Sequence, residues 1–232
     1  MRRKPKPKTS YETKPKRAYV KKTQERSTEI ISAKTKNQQT YIMSIIENDI
    51  IFCSGPSGTG KSFIALGIAC EHLHRGDIDC IIIARPLVCV GKDIGALPGE
   101  VKQKIEPYLG PMQDNLKRFL GPYYGLYLSE NKIRFEPIEL MRGATFNHAY
   151  MILDEAQNCT FEQLKMFITR MGEGSKVMIN GDTKQNDLKG KSGLDQCMAM
   201  LIDIEQIGIN RLDYCDIQRN GILEKVLRAL GD

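Results

Sequence analysis

The sequence predicts an α/β protein built on a mainly parallel sheet with helices on both faces. Short, nearly continuous apolar runs recur along the chain, helix-length segments separate them, and polar residues follow the first four runs directly. Strands that are buried on both faces give unbroken apolar runs, and parallel strands are usually joined by a helix. The chain has 232 residues, of which 41% are hydrophobic and 27% charged, so it is long enough to bury one full core.

Each element follows from this alternation. The five apolar runs are predicted to be strands, at 50–54, 80–84, 149–154, 176–180 and 206–212. The intervening helices are predicted at 61–74, 99–119, 160–171 and 192–202. Segment 122–136 is predicted to be a short hairpin or insertion with its turn at 129–132. Its tyrosines are available for stacking on bases, but packing against the sheet is the more common role for such residues.

A glycine-rich loop follows the first predicted strand and opens the first predicted helix. Residues 55–62 (GPSGTGKS) match the pattern G-x-x-x-x-G-K-[ST] without a departure. Backbone N–H groups of such a loop, with the following helix N-terminus, form a cradle for phosphate, so ATP or GTP is the predicted ligand. Lys61 would reach the β- and γ-phosphates, and Ser62 would bind Mg²⁺. The predicted nucleotide-binding residues here are Gly55, Pro56, Ser57, Gly58, Thr59, Gly60, Lys61, Ser62 and Phe63.

Two adjacent carboxylates end the third predicted strand. Asp154 and Glu155 follow the run AYMIL, and a carboxylate at the end of a buried strand normally has a cation nearby. Asp154 is predicted to hold Mg²⁺ through its water shell, and Glu155 to orient or deprotonate the attacking water. A glutamate at this point favours hydrolysis over phosphoryl transfer to a small acceptor.

Further polar residues are candidates for contact with the γ-phosphate. Gln185 follows the fourth strand at the same predicted sheet edge and is predicted to contact the γ-phosphate or its water, although an ordinary polar loop is the alternative. Arg85, Arg142 and Arg219 are candidates for stabilising transition-state charge, Arg142 as part of the nucleotide site. Each arginine has the alternative of an ordinary surface salt bridge.

Positive charge is concentrated at the start of the chain. Residues 1–36 hold 13 Lys and Arg against 3 Glu, whereas the remainder holds 21 basic and 25 acidic residues. With almost no apolar residues, this tail is predicted to be disordered at least to about residue 28, and 37–232 to form the folded domain. The tail is either an arm that neutralises nucleic-acid phosphates or a solvated tail that aids solubility.

Composition also indicates the compartment. No apolar run approaches 18 residues, and the basic start is not followed by an apolar segment, so neither a membrane span nor a secretory signal is predicted. The seven cysteines form no C-x-x-C pair, which indicates reduced thiols and not a disulfide scaffold or zinc ribbon. We expect a soluble cytoplasmic protein.

Taken together, these motifs resemble those of the PhoH family of P-loop ATPases, whose core is similar to the motor domain of superfamily 1 helicases. The resemblance covers nearly everything from residue 37 onward, and the basic tail lies outside it. It implies a RecA-like core, nucleotide sites between the subunits of a ring, a hexamer being expected, and ATP hydrolysis coupled to RNA or single-stranded DNA. The matching stretches are SGPSGTGKSFIALGIA, ARPLVCVGKDIGALPGEVKQKIEPYLGPM, FEPIELMRGATFNHAYMILDEAQN and TFEQLKMFITRMGEGSKVMINGDTKQNDL.

The resemblance also assigns two residues outside these motifs. Gln38 falls where family members carry an adenine-reading glutamine, which favours ATP over GTP. Arg219 falls on the late arginine of the family, which serves a neighbouring subunit. The family usually has His after that arginine, whereas this chain has Asn220, which puts in doubt whatever the His does.

Three functions remain open at this point. The first is an ATPase that binds RNA or single-stranded DNA and can remodel or unwind it, which one core cannot do unless it oligomerises. The second is a regulatory nucleotide switch with slow, unstimulated hydrolysis, and the third is a small-molecule or nucleotide kinase. Glu155 and Gln185 argue against the kinase, and the basic tail favours the first function over the second.

Overall fold

Six strands form a single parallel sheet in the order β3-β2-β4-β5-β1-β6, in a computed structural model that describes residues 31–86, 101–185, 192–218, 221, 222, 225, 226 and 229. The predicted α/β class is therefore confirmed. The strands are β1 (Ile50–Ser54), β2 (Cys80–Arg85), β3 (Ile133–Pro137), β4 (Ala149–Leu153), β5 (Lys176–Gly181) and β6 (Ile207–Arg211). The helices are α1 (Lys36–Glu47), α2 (Lys61–Arg75), α3 (Val101–Leu120), α4 (Tyr123–Ser129), α5 (Phe161–Ile168) and α6 (Leu194–Leu201).

Apolar layers cover both faces of the sheet. Side chains of α1, α2 and α3 pack on one face, and side chains of α5 and α6 pack on the other. Every residue of β4 is buried, as are four of the five residues of β1. This two-sided burial explains why the central strands appear in the sequence as unbroken apolar runs.

Helix α1 was not predicted from the sequence. Its amphipathic face is narrow, but Tyr41 and Ile45, four residues apart, are fully buried against the sheet. Thr35 caps the helix by accepting a hydrogen bond from the Gln38 N–H. The side chain of Ile31 packs so closely on Gly67 that a Cβ at that glycine would overlap it. Part of the predicted tail 1–36 thus contacts the domain, whereas the segment predicted to be disordered, at least to about residue 28, lies outside the described residues.

Of the two alternatives predicted for 122–136, a hairpin or an insertion, the hairpin is wrong. The segment forms α4 and then β3, which pairs in parallel with β2 at the edge of the sheet. The predicted turn is present as the connection between them, where Lys132 N donates to Tyr127 O at 2.8 Å. Tyr124 and Tyr127 pack against the core, in agreement with the packing role. The apolar pattern of β3 is weak because an edge strand is less buried than a central one.

No helix in the described part of the chain is long and apolar enough to cross a membrane. Cys53, Cys70, Cys159 and Cys197 are free and buried, and burial raises the pKa of the Cys159 thiol to about 12. Such thiols are protonated at neutral pH and behave as small apolar side chains.

Candidate active site

The carboxyl ends of β1, β2, β4 and β5 meet at one edge of the sheet, where they border a cleft of about 300 Å³. Ligands of open parallel sheets bind at this edge. The cleft is lined by Ser57, Gly58, Gly60, Lys61, Ser62, Phe63, Arg85, Pro111, Met112, Asn115, Asp154, Glu155, Gly181, Asp182 and Gln185. The three residues from α3 carry no recognisable motif and were not predicted from the sequence.

The glycine-rich loop between β1 and α2 forms one wall of the cleft. Gly60 has φ 96°, a left-handed conformation that glycine adopts readily, and immediately precedes α2, whose first N–H groups have no acceptor within the helix. Gly55 is required for a different reason, because a Cβ there would overlap the Leu212 carbonyl oxygen. The Lys61 ammonium donates to the carbonyl oxygens of Gly55 and Pro56 at 2.5 and 2.9 Å. The loop thus holds a cation beside its own N–H groups.

Three predicted binding residues, Gly55, Pro56 and Thr59, shape the loop and do not line the cleft. Gly55 approaches Leu212, directly after β6, and Thr59 is fully buried with its hydroxyl donating to the Pro56 carbonyl oxygen at 2.8 Å. The loop residues that do line the cleft are Ser57, Gly58, Gly60, Lys61, Ser62 and Phe63.

Ser62 and Asp154 come together at the base of the cleft. The Ser62 hydroxyl donates to Asp154 Oδ1 at 2.5 Å, and Asp154 is buried. Burial raises the pKa of Asp154, and the neighbouring Glu155 raises it further, whereas Arg85, the Ser62 hydrogen bond and Lys61 act in the opposite direction. A hydroxyl and a carboxylate are the oxygen donors that Mg²⁺ prefers. The described residues contain no group of three or more His, Cys, Asp or Glu that could hold a metal. Mg²⁺ commonly takes one or two protein oxygen ligands and completes its coordination with water and substrate phosphate.

Glu155 is held by two partners. Its Oε1 accepts from Arg85 Nη2 at 2.7 Å, and its Oε2 accepts from Gln157 Nε2 at 2.7 Å. The backbone of Glu155 has φ 56° and ψ 39°, a left-handed conformation that non-glycine residues seldom adopt. Residues in such conformations persist where surrounding contacts hold them, commonly at functional sites. Arg85 Nη2 also lies 3.6 Å from Asp154 Oδ2, so one guanidinium compensates both carboxylates.

Gln157 was not singled out from the sequence, yet it joins two walls of the cleft. Its Nε2 donates to Glu155, and its Oε1 accepts from the Asp182 N–H at 2.9 Å. The amide thereby fixes the end of β4 against the end of β5. Its position two residues after Glu155, in the stretch DEAQ, is the one signal that could have identified it.

The remaining predicted residues lie in different places. Gln185 lines the cleft, with its N–H donating to the Asp182 carbonyl oxygen at 3.1 Å. Gln38 is buried behind the loop, where its Nε2 donates to the Thr59 carbonyl oxygen at 2.9 Å. Arg142 is exposed and is not one of the residues that line the cleft. Arg219 and Asn220 lie outside the described residues.

Comparison with known proteins identifies relatives over most of the chain. The family model described as PhoH-like protein matches residues 30–231. A PhoH-like protein from Bacillus subtilis is 44% identical over 202 residues, which is 86% of this chain and 63% of that protein. A PhoH-like protein from Synechocystis sp. is 41% identical over 204 residues (87% and 62%), and Protein PhoH from Escherichia coli is 39% identical over 209 residues (88% and 59%). The chain therefore spans about three fifths of the length of these relatives.

A solved structure supports the fold. The large terminase from a thermophilic bacteriophage superposes with a TM-score of 0.52 at 14% sequence identity, over 84% of this chain and 50% of that one. At this identity the likeness is one of fold alone. The glycine-rich loop, the carboxylates at the end of β4 and the family match over residues 30–231 lead to one conclusion: this chain belongs to the PhoH family and has the fold of a P-loop NTPase.

Proposed function

We propose that this protein binds ATP together with Mg²⁺ and hydrolyses it. The observation that carries the proposal is the meeting of Lys61, Ser62, Asp154 and Glu155 in one cleft. These four side chains supply a cation for phosphate, two oxygen groups to hold a metal and a carboxylate for water, which are groups that phosphoanhydride hydrolysis needs from one core.

Each side chain has a distinct role in this proposal. Lys61 leaves the loop carbonyls and stabilises charge on the β- and γ-phosphates, while Ser62 and Asp154 hold Mg²⁺, Asp154 through its water shell. Bound Mg²⁺ would supply charge neutralisation at the phosphate oxygens. Glu155 orients the attacking water and accepts its proton, and Gln185 contacts the γ-phosphate or that water.

ATP is preferred over GTP in this proposal because of Gln38. Its side chain lies behind the phosphate loop and donates to the Thr59 carbonyl oxygen, and the resemblance assigns this glutamine to recognition of adenine. A direct contact between Gln38 and the base remains a prediction. Comparing the affinities of ADP and GDP in wild type and in Gln38→Ala measures it, since loss of base recognition would bring the two affinities together.

We further propose that RNA or single-stranded DNA is the partner and that the active species is a homo-oligomeric ring, with six subunits expected. The charge of residues 1–36 supports the nucleic-acid partner, because a balance of 13 basic to 3 acidic side chains favours release of counterions from phosphates. Remodelling or unwinding needs a second point of contact with the nucleic-acid strand, which a second subunit would supply.

Steady-state phosphate release tests this proposal. The full chain is assayed with Mg²⁺ and ATP, alone and with single-stranded RNA or DNA of several lengths. Stimulation by the polynucleotide is expected of a motor. ATP turnover that the polynucleotide leaves unchanged would favour the switch, and no phosphate release under any condition would contradict the proposed function.

The switch is kept as a second candidate because of the contacts of Glu155. Both of its carboxylate oxygens accept hydrogen bonds, one of them from a guanidinium, in the described arrangement. A carboxylate engaged in this way is a poor base for water, so hydrolysis would be slow until the Arg85 contact opens.

Substitution of Arg85 distinguishes the two candidates. For a motor, Arg85→Ala is expected to lower kcat on the order of 100-fold, because a guanidinium near the transferred phosphate and both carboxylates is lost. The affinity for ADP should change by no more than about threefold, since the phosphate loop remains intact. A rise in the unstimulated kcat would contradict this expectation and would identify the Arg85–Glu155 pair as a brake, in favour of the switch.

Removal of residues 2–28 tests the basic segment. The deletion is expected to weaken nucleic-acid binding and to flatten the slope of log K against log salt, because several phosphate contacts are lost. Basal ATPase should persist, since the cleft is formed by residues from 57 onward. Affinity is measured by fluorescence anisotropy from about 50 to 200 mM salt. An unchanged affinity and an unchanged slope would contradict this expectation and favour the alternative that the segment aids solubility.

A further inference from the structure

A buried carboxylate, Asp216, lies behind the phosphate loop and has no part in the chemistry proposed above. It is fully buried in the 3₁₀ helix Tyr214–Asp216 that follows β6. Its oxygens accept from the Thr35 hydroxyl, from Asn37 Nδ2 at 2.9 Å and from the Asp213 N–H at 2.7 Å. A carboxylate is costly to bury unless donors surround it, so these three donors are strongly constrained in position.

Two glutamines extend this network to the loop. Gln38 Nε2 donates to the Thr59 carbonyl oxygen at 2.9 Å and lies 3.4 Å from the Asp216 carbonyl oxygen, while the Gln38 N–H donates to the Thr35 hydroxyl at 3.2 Å. The Gln218 N–H donates to the Gly58 carbonyl oxygen at 3.1 Å, and Gln218 Nε2 donates to the Asp216 carbonyl oxygen at 3.3 Å. Two consecutive loop carbonyls are therefore held from behind by residues whose positions depend on Asp216.

These contacts fix the direction of the loop N–H groups. In a trans peptide the C=O of one residue and the N–H of the next point in opposite directions. Because the carbonyls of Gly58 and Thr59 point backward to the glutamines, the N–H groups of Thr59 and Gly60 point toward the cleft side of the loop. N–H groups in that direction are the ones that a phosphate cradle needs.

We propose that Asp216 is a positioning residue of the nucleotide site. Its carboxylate holds Thr35, whose hydroxyl accepts from the Gln38 N–H. The carboxylate also anchors the 3₁₀ turn whose Asp216 carbonyl oxygen accepts from the side-chain amides of Gln38 and Gln218. In this way the phosphate loop keeps its N–H groups turned to the cleft before any nucleotide arrives. The inference rests on the proposed nucleotide binding. It adds a reason for tight binding of phosphate, since a loop ordered in advance loses less entropy when phosphate binds.

The test substitutes Asp216→Asn in the full chain and measures two affinities. One is for a fluorescent ADP analogue, and the other is for inorganic tripolyphosphate, measured by displacement of that analogue. We expect both to weaken about tenfold, because an amide presents its own donors to the N–H groups that now face a carboxylate. Tripolyphosphate has no base, so a weaker affinity for it reports on the ordering of the loop and not on recognition of adenine through Gln38.

Asn210→Ala is the matched control. Asn210 is a buried polar residue on β6 that donates to Ser44 Oγ at 2.9 Å and to the Phe52 carbonyl oxygen at 3.1 Å, away from the loop. It should lower the melting temperature while both affinities stay within about twofold of wild type. Thr35→Ala should weaken both affinities and Thr35→Ser should restore them, and this pair carries the test where Asp216→Asn does not fold.

Two results would overturn the inference while nucleotide binding by the wild type stands. One is a lowered melting temperature in Asp216→Asn with both affinities unchanged, as expected of the control. The other is a loss for the ADP analogue without a loss for tripolyphosphate, which would place the effect at the base. Failure of the wild type to bind the analogue would contradict the proposed function itself and, with it, this inference.

Discussion

Glu155→Gln is expected to bind ATP as tightly as wild type and to hydrolyse it about 100- to 10,000-fold more slowly. Gln keeps the shape of the side chain and a carbonyl oxygen for the contact with Arg85, but it cannot accept a proton from water. Binding should survive because the loop, Ser62 and Asp154 are untouched. Nucleotide affinity and single-turnover hydrolysis, measured on the same preparation, separate these two effects.

Lys61→Ala provides the contrast to this variant. It removes the ammonium that now lies 2.5 Å from the Gly55 carbonyl oxygen and that would stabilise charge on the phosphates. We therefore expect a loss of turnover together with a weaker affinity for ATP, whereas Glu155→Gln loses turnover alone. A Glu155→Gln variant with the kcat of wild type would remove this residue from the catalytic role.

Arg219→Ala is expected to lower kcat by roughly 1,000-fold or more, the range for arginines that complete a neighbour's phosphate site. Both the family resemblance and the geometry of the cleft support this expectation. The described cleft contains the loop and both carboxylates of one core, but no second lobe in the described part of the chain closes over the γ-phosphate. A neighbouring subunit in a closed ring would supply that lobe and its arginine.

Mixing two inactive variants tests whether Arg219 acts in trans. Arg219→Ala subunits retain an intact phosphate loop, and Lys61→Ala subunits retain an intact arginine. In a random equimolar mixture, about a quarter of the interfaces would pair one intact loop with one intact arginine, so activity should reappear on mixing. Full ATPase activity in a species that sedimentation shows to be monomeric at the assay concentration would refute the ring, as would an Arg219→Ala variant with unchanged kcat.

Several features of the site could be predicted because the residues that form them are neighbours in the sequence. Residues 55–62 and the pair Asp154 and Glu155 each form one contiguous stretch, and the structure brings both to the same cleft. Gln185 also lies where the end of β5 predicted it. Arg142 has no such strand to place it, and it is exposed and not among the residues that line the cleft.

In the fold, too, some elements could be predicted from the sequence and others could not. All five predicted strands are present. Four of them, β1, β2, β4 and β5, are central strands covered on both faces, which favours apolar side chains at every position, whereas β6 lies at the edge of the sheet. The elements that were missed or misassigned, α1, α4 and β3, lie at the periphery, where a few buried residues such as Tyr41 and Ile45 suffice. Their sequences are correspondingly weak in pattern.

By itself, the sequence determined the α/β class, the phosphate loop and the carboxylates beside it, since each depends on neighbouring residues and on the regular period of a strand or helix. Only the tertiary structure decided which cation compensates Glu155, how Gln157 joins β4 to β5, and that Asp216 supports the loop. Thr35 and Asp216 are separated by 181 positions, and Arg85 and Glu155 by 70. Contacts over such separations are set by strand order and packing, which no local pattern encodes.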